Sequence, residues 1–227
     1  MLSIVVPTHN EENRIRATLE RLLDWLAANV EEYEVIVSDD GTDSTADIAR
    51  EFAARNKAVR LLHFERRLGK GGGVHAGMAA AKGDVLIYDA DGSAGPAEIP
   101  KLLGAKADVV IGSRKMRGAS LPSKVPLARR VASAGFSLLV DALFGLGIRD
   151  TQCGFKLVKK DAARRLVPTL KRTGFEWDVE LLLRARKEGM KIAEVPIEWH
   201  FRKGGTMHPW HMAGMFAGIV ALKLEGL

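Results

Sequence analysis

The chain has 227 residues and is 47% hydrophobic, which provides the core of one sizeable domain and excludes a disordered segment. Its single cysteine, Cys153, excludes an internal disulfide framework and fits a reducing compartment better than secretion. The net charge of +6 divides unevenly: residues 1–100 carry 11 Lys/Arg against 17 Asp/Glu, and residues 101–227 carry 23 against 11, so the first half suits a metal or a base and the second a phosphate or an anionic membrane.

Apolar stretches of strand character at Leu2–Val6, Glu34–Ser38, Val59–Phe64, Val85–Asp89 and Asp108–Gly112 alternate with helical patterns, among them the stripe Ile15, Leu19, Leu22, Leu23 and Leu26. This alternation predicts an α/β fold with a mostly parallel, doubly wound sheet flanked by helices. The first strand opens without a basic stretch ahead of it, so no signal peptide or N-terminal anchor is expected. Asn10 is the expected N-cap of the first helix, with Glu11 and Glu12 in its first turn, and Thr42 or Asp43 that of the second.

The second strand ends in Asp39-Asp40-Gly41. A carboxylate there accepts hydrogen bonds from a base's N–H, although Asp-Asp-Gly is also ordinary turn chemistry. The run Leu68-Gly69-Lys70-Gly71-Gly72-Gly73 fails the phosphate-loop pattern, because Gly follows the Lys and Phe64 stands where that pattern needs Gly. Two readings of the glycines remain: a flexible loop that brings Lys70 to a diphosphate, or a plain turn before a helix.

At Val85-Leu86-Ile87-Tyr88-Asp89-Ala90-Asp91 a buried strand ends in two carboxylates one residue apart. Ligands of open α/β sheets gather at the carboxyl ends of strands, and Mg²⁺ or Mn²⁺ is held there by one or two carboxylates plus phosphate oxygens. The alternative is a turn in which Asp bonds its own backbone. Arg114, the pair Arg129-Arg130 and Arg202-Lys203 supply guanidinium groups suited to a phosphomonoester, or else solvated surface charges.

Residues 131–148 carry one charge, Asp141, and predict a helix partly in the core and partly at a membrane interface. The uncharged stretch Met212 to Leu222 is too short to span, leaving a core or an interfacial helix. His200, His208 and His211 match no zinc spacing. No nucleic-acid signature is present, and with aromatics at 6% and basic residues scattered among apolar helices, nucleic acid is not an expected partner.

Together Val5-Val6-Pro7-Thr8-His9-Asn10-Glu11, Asp39-Asp40-Gly41-Thr42-Asp43-Ser44-Thr45, Asp89-Ala90-Asp91 and Gly112-Ser113-Arg114 resemble glycosyltransferase family 2 with the GT-A, Rossmann-like fold. The segments Asp89-Ala90-Asp91-Gly92-Ser93, Ile148-Arg149-Asp150-Thr151-Gln152-Cys153-Gly154-Phe155-Lys156 and Phe175-Glu176-Trp177-Asp178-Val179-Glu180-Leu181 narrow the resemblance to dolichyl-phosphate β-glucosyltransferases, with dolichyl-phosphate mannose synthases next. The resemblance implies one domain over 1–227, with a nucleotide-sugar half (1–112) and an acceptor and membrane-facing half (113–227) bearing amphipathic interfacial helices. It implies Asp39 and Asp40 at the base, Pro7 and Glu11 bordering the nucleotide, and Asp89 and Asp91 at the metal and diphosphate. Arg114, Arg129 and Arg202 would surround the acceptor phosphate, and Lys70 and Gln152 would touch substrate. Ser93 stands where mannose synthases have a Gln, which favours the glucosyl branch and leaves a third metal ligand unassigned.

The implied reaction is inverting transfer of a hexose, glucose from UDP-glucose, to dolichyl or polyprenyl phosphate with Mg²⁺ or Mn²⁺, by a peripheral protein on the cytoplasmic face of a membrane. Asp178 or Glu180 is a weaker candidate for a base or orienting group. The alternatives are a mannosyl donor on GDP and, in another class, a non-catalytic module binding a nucleotide sugar or lipid phosphate.

Overall fold

The structure is a computed structural model that describes residues 1–123, 127–202 and 209–227, and leaves out the side chains of residues 127–132 and 209–213. Seven strands form one sheet: β1 (Leu2–Thr8), β2 (Tyr33–Asp39), β3 (Val59–His63), β4 (Asp84–Ile87), β5 (Val109–Ser113), β6 (Lys156–Val158) and β7 (Ile192–Pro196). Their order is β3-β2-β1-β4-β6-β5-β7, and β6 alone runs against its neighbours. The five expected strands are β1 to β5. The sheet is mostly parallel, as expected, and mixed only through β6; the two strands not expected, β6 and the parallel β7, come from the second half of the chain. Strand β6 has only three residues, too few to show a period, and the apolar run of β7 is broken by Glu194 and ends on Pro196.

The strands are paired with helices α1 (Glu12–Asn29), α2 (Thr45–Arg55), α3 (Gly69–Ala80), α4 (Ile99–Leu103), α5 (Leu127–Phe144), α6 (Lys160–Leu166), α7 (Trp177–Lys187) and α8 (Pro209–Leu224). The predicted stripe on α1 is buried at Ile15, Leu19, Leu22, Leu23 and Leu26, which pack against the sheet in the main core. A smaller core joins α5, α7 and α8 through Phe136, Val140, Phe144, Val179, Leu183, Met215, Ile219 and Leu222.

Two local expectations change. Asn10 does not cap α1: it takes a left-handed conformation (φ 56°) and its Oδ1 accepts the Thr42 N–H at 2.8 Å. The capping work falls to Asp43, whose oxygens accept N–H bonds from Thr45 (2.9 Å) and Glu12 (3.1 Å), so one carboxylate serves both helix starts. Helix α5 stops at Phe144 rather than running to Ile148. Gly145 and Gly147 have positive φ, and Asp141, the one charge of that stretch, accepts the Gly147 N–H at 2.9 Å. Among the described residues no helix is long and apolar enough to cross a membrane.

Helix α3 packs directly on the Val5 side chain of β1: a β-carbon at Gly77 would sit 2.3 Å from Val5 Cγ1. Gly77→Ala therefore forces overpacking, and we expect a loss of about 1–3 kcal/mol in stability, read from the urea midpoint. An unchanged midpoint would show that α3 sits farther from the sheet.

Candidate active site

Parallel strands put their carboxyl ends on one edge, so Thr8, Asp39, Tyr88-Asp89 and Ser113-Arg114 emerge together. Because β6 is antiparallel, its amino end reaches that edge too, with Lys156 level with Ile87 on β4 and Ile111 on β5. The turn before it, Asp150–Gly154, is thereby held between the strand that leads to Asp89 and the strand that leads to Arg114.

Asp39 is fully buried, with Oδ1 accepting from Thr8 Oγ1 at 2.8 Å and Oδ2 lying 2.9 Å from His63 Nδ1. Asp40 meets His9 Nδ1 at 2.9 Å with one oxygen and accepts the Leu68 and Gly69 N–H groups with the other. Both carboxylates thus organise their own loops; Asp40 Oδ2 spends both lone pairs on the Leu68 and Gly69 N–H groups, and the other three oxygens each keep one. Pro7 pairs with Ser38 at the end of β1 and lies against the open face of Gly73. Glu11 directly precedes α1 and pairs with Arg14 at 2.8 Å. Burial raises its carboxyl above the ordinary range against the pull of Arg14, and the nearby Asp91 and Asp89 add to the rise.

The glycine run is not a loop. It forms the first turns of α3, and the glycines admit the 172–174 segment, since a β-carbon at Gly71 would lie 2.3 Å from Arg172 O and 2.7 Å from Trp177 Cβ. The Gly71 and Gly72 N–H groups donate to Thr173 O. The helix start presents Lys70, whose Nζ binds Asp89 Oδ1 at 2.9 Å. Burial works against the Asp89 charge, but Lys70 foremost, with Lys156 and Arg114, holds its carboxyl below the ordinary value. Asp91 Oδ1 accepts the Ser93 N–H at 2.9 Å, closing an Asx turn.

Asp89 and Asp91 form an all-oxygen donor pair at a strand end, which fits a hard divalent cation. The carboxylate of Asp89 is cradled by Gly154, where a β-carbon would fall 2.6 Å from Oδ2, and the buried Ser93 Oγ beside the turn has no hydrogen-bond partner. Among the described residues no cluster of three or more His, Cys, Asp or Glu could hold a metal unaided.

Arg114 donates to Asp150 through its backbone N–H, Nε and Nη2 at 2.8–2.9 Å, and its guanidinium lies 5.3 Å from the Trp199 ring centre. Trp199 belongs to a strap bridged to Ala94 and, through Glu198, to Ser120. The strap continues to Arg202, which is exposed and is an electrostatic neighbour of buried Tyr88. Gln152 is half-buried in the turn whose flanking carbonyls, of Thr151 and Cys153, accept from Lys156 Nζ. The Arg129 side chain, Lys203 and the side chains of His208 and His211 lie outside what is described.

Glu180 is not a site residue: fully buried, it accepts from the Lys171 and Arg172 N–H groups and from Arg184. Asp178 is buried against Lys156, with burial raising its carboxyl despite Lys156 and Lys70. It acts as a counter-charge within the core rather than at its rim. Cys153 is likewise buried, which pushes its thiol up to about 11 and leaves it protonated at neutral pH. Sequence reasoning gave no role to Asp150, Lys156 or Trp199. The signal for Lys156 was a lone charge in the apolar run Phe155-Lys156-Leu157-Val158.

A model of the family described as "Glycosyl transferase family 2" matches residues 3–167. A dolichyl-phosphate beta-glucosyltransferase of Trichomonas vaginalis is 36% identical over 214 residues, covering 87% of this chain and 63% of that protein. Glycosyltransferase AglD of Haloferax volcanii is 36% identical over 90% of this chain and 34% of its own length. The dolichyl-phosphate beta-glucosyltransferase of Dictyostelium discoideum is 33% identical over 92% and 69%. The chain thus spans less than two thirds of the first two. Glucosyl-3-phosphoglycerate synthase from Mycobacterium tuberculosis, solved with Mn²⁺, uridine diphosphate and phosphoglyceric acid, superposes with a TM-score of 0.72 at 21% identity, covering 99% of this chain and 77% of that one, and shares the fold.

Burial disfavours the Asp150 charge, yet the Arg114 hydrogen bonds hold its carboxyl below the ordinary value. With the folded value depressed, this pair stabilises the protein above the unfolded value of about 3.9 and is lost as pH falls below it. We expect Asp150→Asn to cost about 3 kcal/mol at pH 7, because Arg114 loses its counter-charge, and to flatten the acid limb below pH ~4. Urea unfolding at both pH values checks this, and an acid limb as steep as that of the unmodified protein would refute it.

Proposed function

This chain belongs to glycosyl transferase family 2, and on that premise we propose that it transfers a hexose, glucose from UDP-glucose, onto a dolichyl or polyprenyl phosphate with inversion. One observation carries the reading. Asp89, Asp91 and Lys70 at the end of β4 suit a diphosphate with its cation, while Arg114 stands at the end of β5 two strand spacings, roughly 10 Å, away. The names of the relatives support the lipid-phosphate acceptor, and the related synthase solved with Mn²⁺ and UDP-glucose supports the donor and the cation.

In this reading residues 1–112 hold the donor and residues 113–227 the acceptor. Asp39 or Asp40 accepts the base N–H, with Pro7 and Glu11 beside the nucleotide. A Mg²⁺ or Mn²⁺ ion on Asp89 and Asp91 supplies neutralisation of the charge that develops on the leaving diphosphate. Arg114 has its Nη1 N–H groups left after binding Asp150, and with Arg129 and Arg202 it orients the acceptor phosphate, while Gln152 lines the gap between the two. A phosphate is already anionic near neutral pH and needs positioning rather than a strong base. That is consistent with Asp178 being tied up in the core.

The acceptor lipid places the site at a membrane, on its cytoplasmic face in our reading. Helices α5 and α8 cover the small core and turn Leu138 (72% exposed), Phe216 (41%), Val220 (55%) and Leu224 (83%) outward. Such a face, with the basic second half of the chain around it, suits reversible docking to an anionic bilayer.

Two outcomes are expected. Labelled sugar from UDP-glucose, offered beside GDP-mannose, enters lipid-extractable product when polyprenyl phosphate and Mn²⁺ or Mg²⁺ are present, and Asp91→Asn abolishes this while leaving the circular dichroism spectrum intact. Label from GDP-mannose would move the chain to the mannosyl branch, and label from neither would overturn the reading. In flotation assays the protein binds vesicles containing anionic lipid and releases as salt rises, and Leu138→Asp with Val220→Asp weakens binding at least severalfold. Vesicle binding insensitive to both changes would place the docking surface elsewhere.

A further inference from the structure

Lys70 has a position that its reach alone does not explain. The start of α3 is fixed on both sides: Asp40 Oδ2 accepts the Leu68 and Gly69 N–H groups at 2.7 and 2.8 Å, and Thr173 O accepts those of Gly71 and Gly72. Gly69 and Gly71 bring the helix so close to the 172–174 segment that any β-carbon would collide with backbone. The ammonium is therefore delivered to Asp89 from an anchored backbone, and only the four-carbon stem of the side chain is free to swing. Its target is equally constrained. Asp89 Oδ2 is turned onto Gly154, 2.6 Å from where a β-carbon would lie, so the carboxylate fills the space that only a glycine leaves there, and Oδ1 is the oxygen that Lys70 holds.

We propose that Lys70 is a positioning residue that serves Asp89 as a built-in counter-cation and yields it to a divalent cation when a nucleotide diphosphate arrives to accept the ammonium. The inference rests on the proposed donor reading. Without Lys70, Asp89 would keep only Lys156 and Arg114, which act on it less strongly, against the neighbouring charge of Glu11 in a partly dehydrated site. Lys70 relieves that repulsion in the ligand-free protein and keeps the carboxylate aimed. A divalent ion on the same carboxylate meets the ammonium as a like charge, so the ion alone binds weakly. The diphosphate brings new oxygens for the ammonium, and the side chain needs only a rotamer change to reach them, since its Nζ now sits between Asp89 and the Phe175 ring, 5.9 Å from the ring centre. Cation and nucleotide thereby bind with a positive coupling whose size Lys70 sets, and coupling is reciprocal by thermodynamic necessity.

The test is Mn²⁺ titration followed by the electron paramagnetic resonance of the free ion, with and without saturating UDP, on the unmodified protein, Lys70→Met, Lys70→Gln and Lys70→Arg. Removing the charge should tighten Mn²⁺ binding without UDP by about tenfold and shrink the gain that UDP produces by a similar factor, an ordinary size for coupled sites. Lys70→Arg, which keeps the charge, should retain the coupling of the unmodified protein. A lysine with a merely structural role would lower Mn²⁺ affinity when replaced, or leave it alone. Mn²⁺ binding in Lys70→Met and Lys70→Gln that is no tighter than in the unmodified protein, with the UDP gain unchanged, overturns the inference while leaving the donor reading intact. Failure of the unmodified protein to take up Mn²⁺ even with saturating UDP overturns both.

Discussion

The site depends on one fully buried lysine. Lys156 stands at the start of an antiparallel strand inserted between β4 and β5, and its ammonium has three acceptors: Thr151 O at 3.0 Å, Cys153 O at 2.6 Å and the Asp178 carboxylate. Three donors meet three acceptors, which is the condition under which a buried charge offsets its desolvation. The Trp177 ring, 5.2 Å away, closes the remaining side. Through those bonds the 150–154 turn is stiff, and both of its ends bear on the site. Asp150 takes Arg114 in three hydrogen bonds, and Gly154 lies directly behind Asp89. The cation-suited and the anion-suited sides are therefore set relative to each other through one fully buried residue.

A comparable economy governs the other side. Asp39 and Asp40 are held by Thr8, His63 and His9, and Asp40 also anchors the start of α3, so the residues proposed to meet the base also fix the helix that carries Lys70. Rigid placement of this kind favours a site built from sheet ends and helix starts over one built on loops. The apolar helices of the second half are divided by face: Val140 and Ile219 are fully buried in the small core, whereas Leu138 and Val220 on the same helices face outward. One element can then close the fold and present a surface.

Much of this was legible in the chain. Strands β1 to β5, the α1 stripe and the acidic strand ends follow from period and composition, because each occupies enough residues for burial on one face to leave a pattern. Strand β6 escaped because it has three residues and β7 because Glu194 and Pro196 break its apolar run, and the Gly69–Gly73 run reads locally as a loop, since nothing in it reveals the 172–174 backbone that packs over it a hundred residues later. The glycines record a close approach whose partner the sequence does not name. Glu180 and Asp178 show the same limit: two carboxylates on one helix read as possible site groups, and their backbone and lysine partners turn them into structural acceptors.

By itself the sequence determined the α/β class, the positions of the first five strands along the chain and which residue types stand at their carboxyl ends, because these are set by local periodicity and by the chemistry of adjacent residues. Tertiary structure alone decided that β6 would enter reversed, that Lys156 would join the two sides of the site, that Arg114 would be committed to Asp150, and that Lys70 would hold Asp89. The pairings Lys156–Asp178, Arg114–Asp150 and Lys70–Asp89 join residues 22, 36 and 19 positions apart, through groups whose charge or hydrogen-bonding capacity water would also satisfy. Only the burial that comes with packing selects one partner for them.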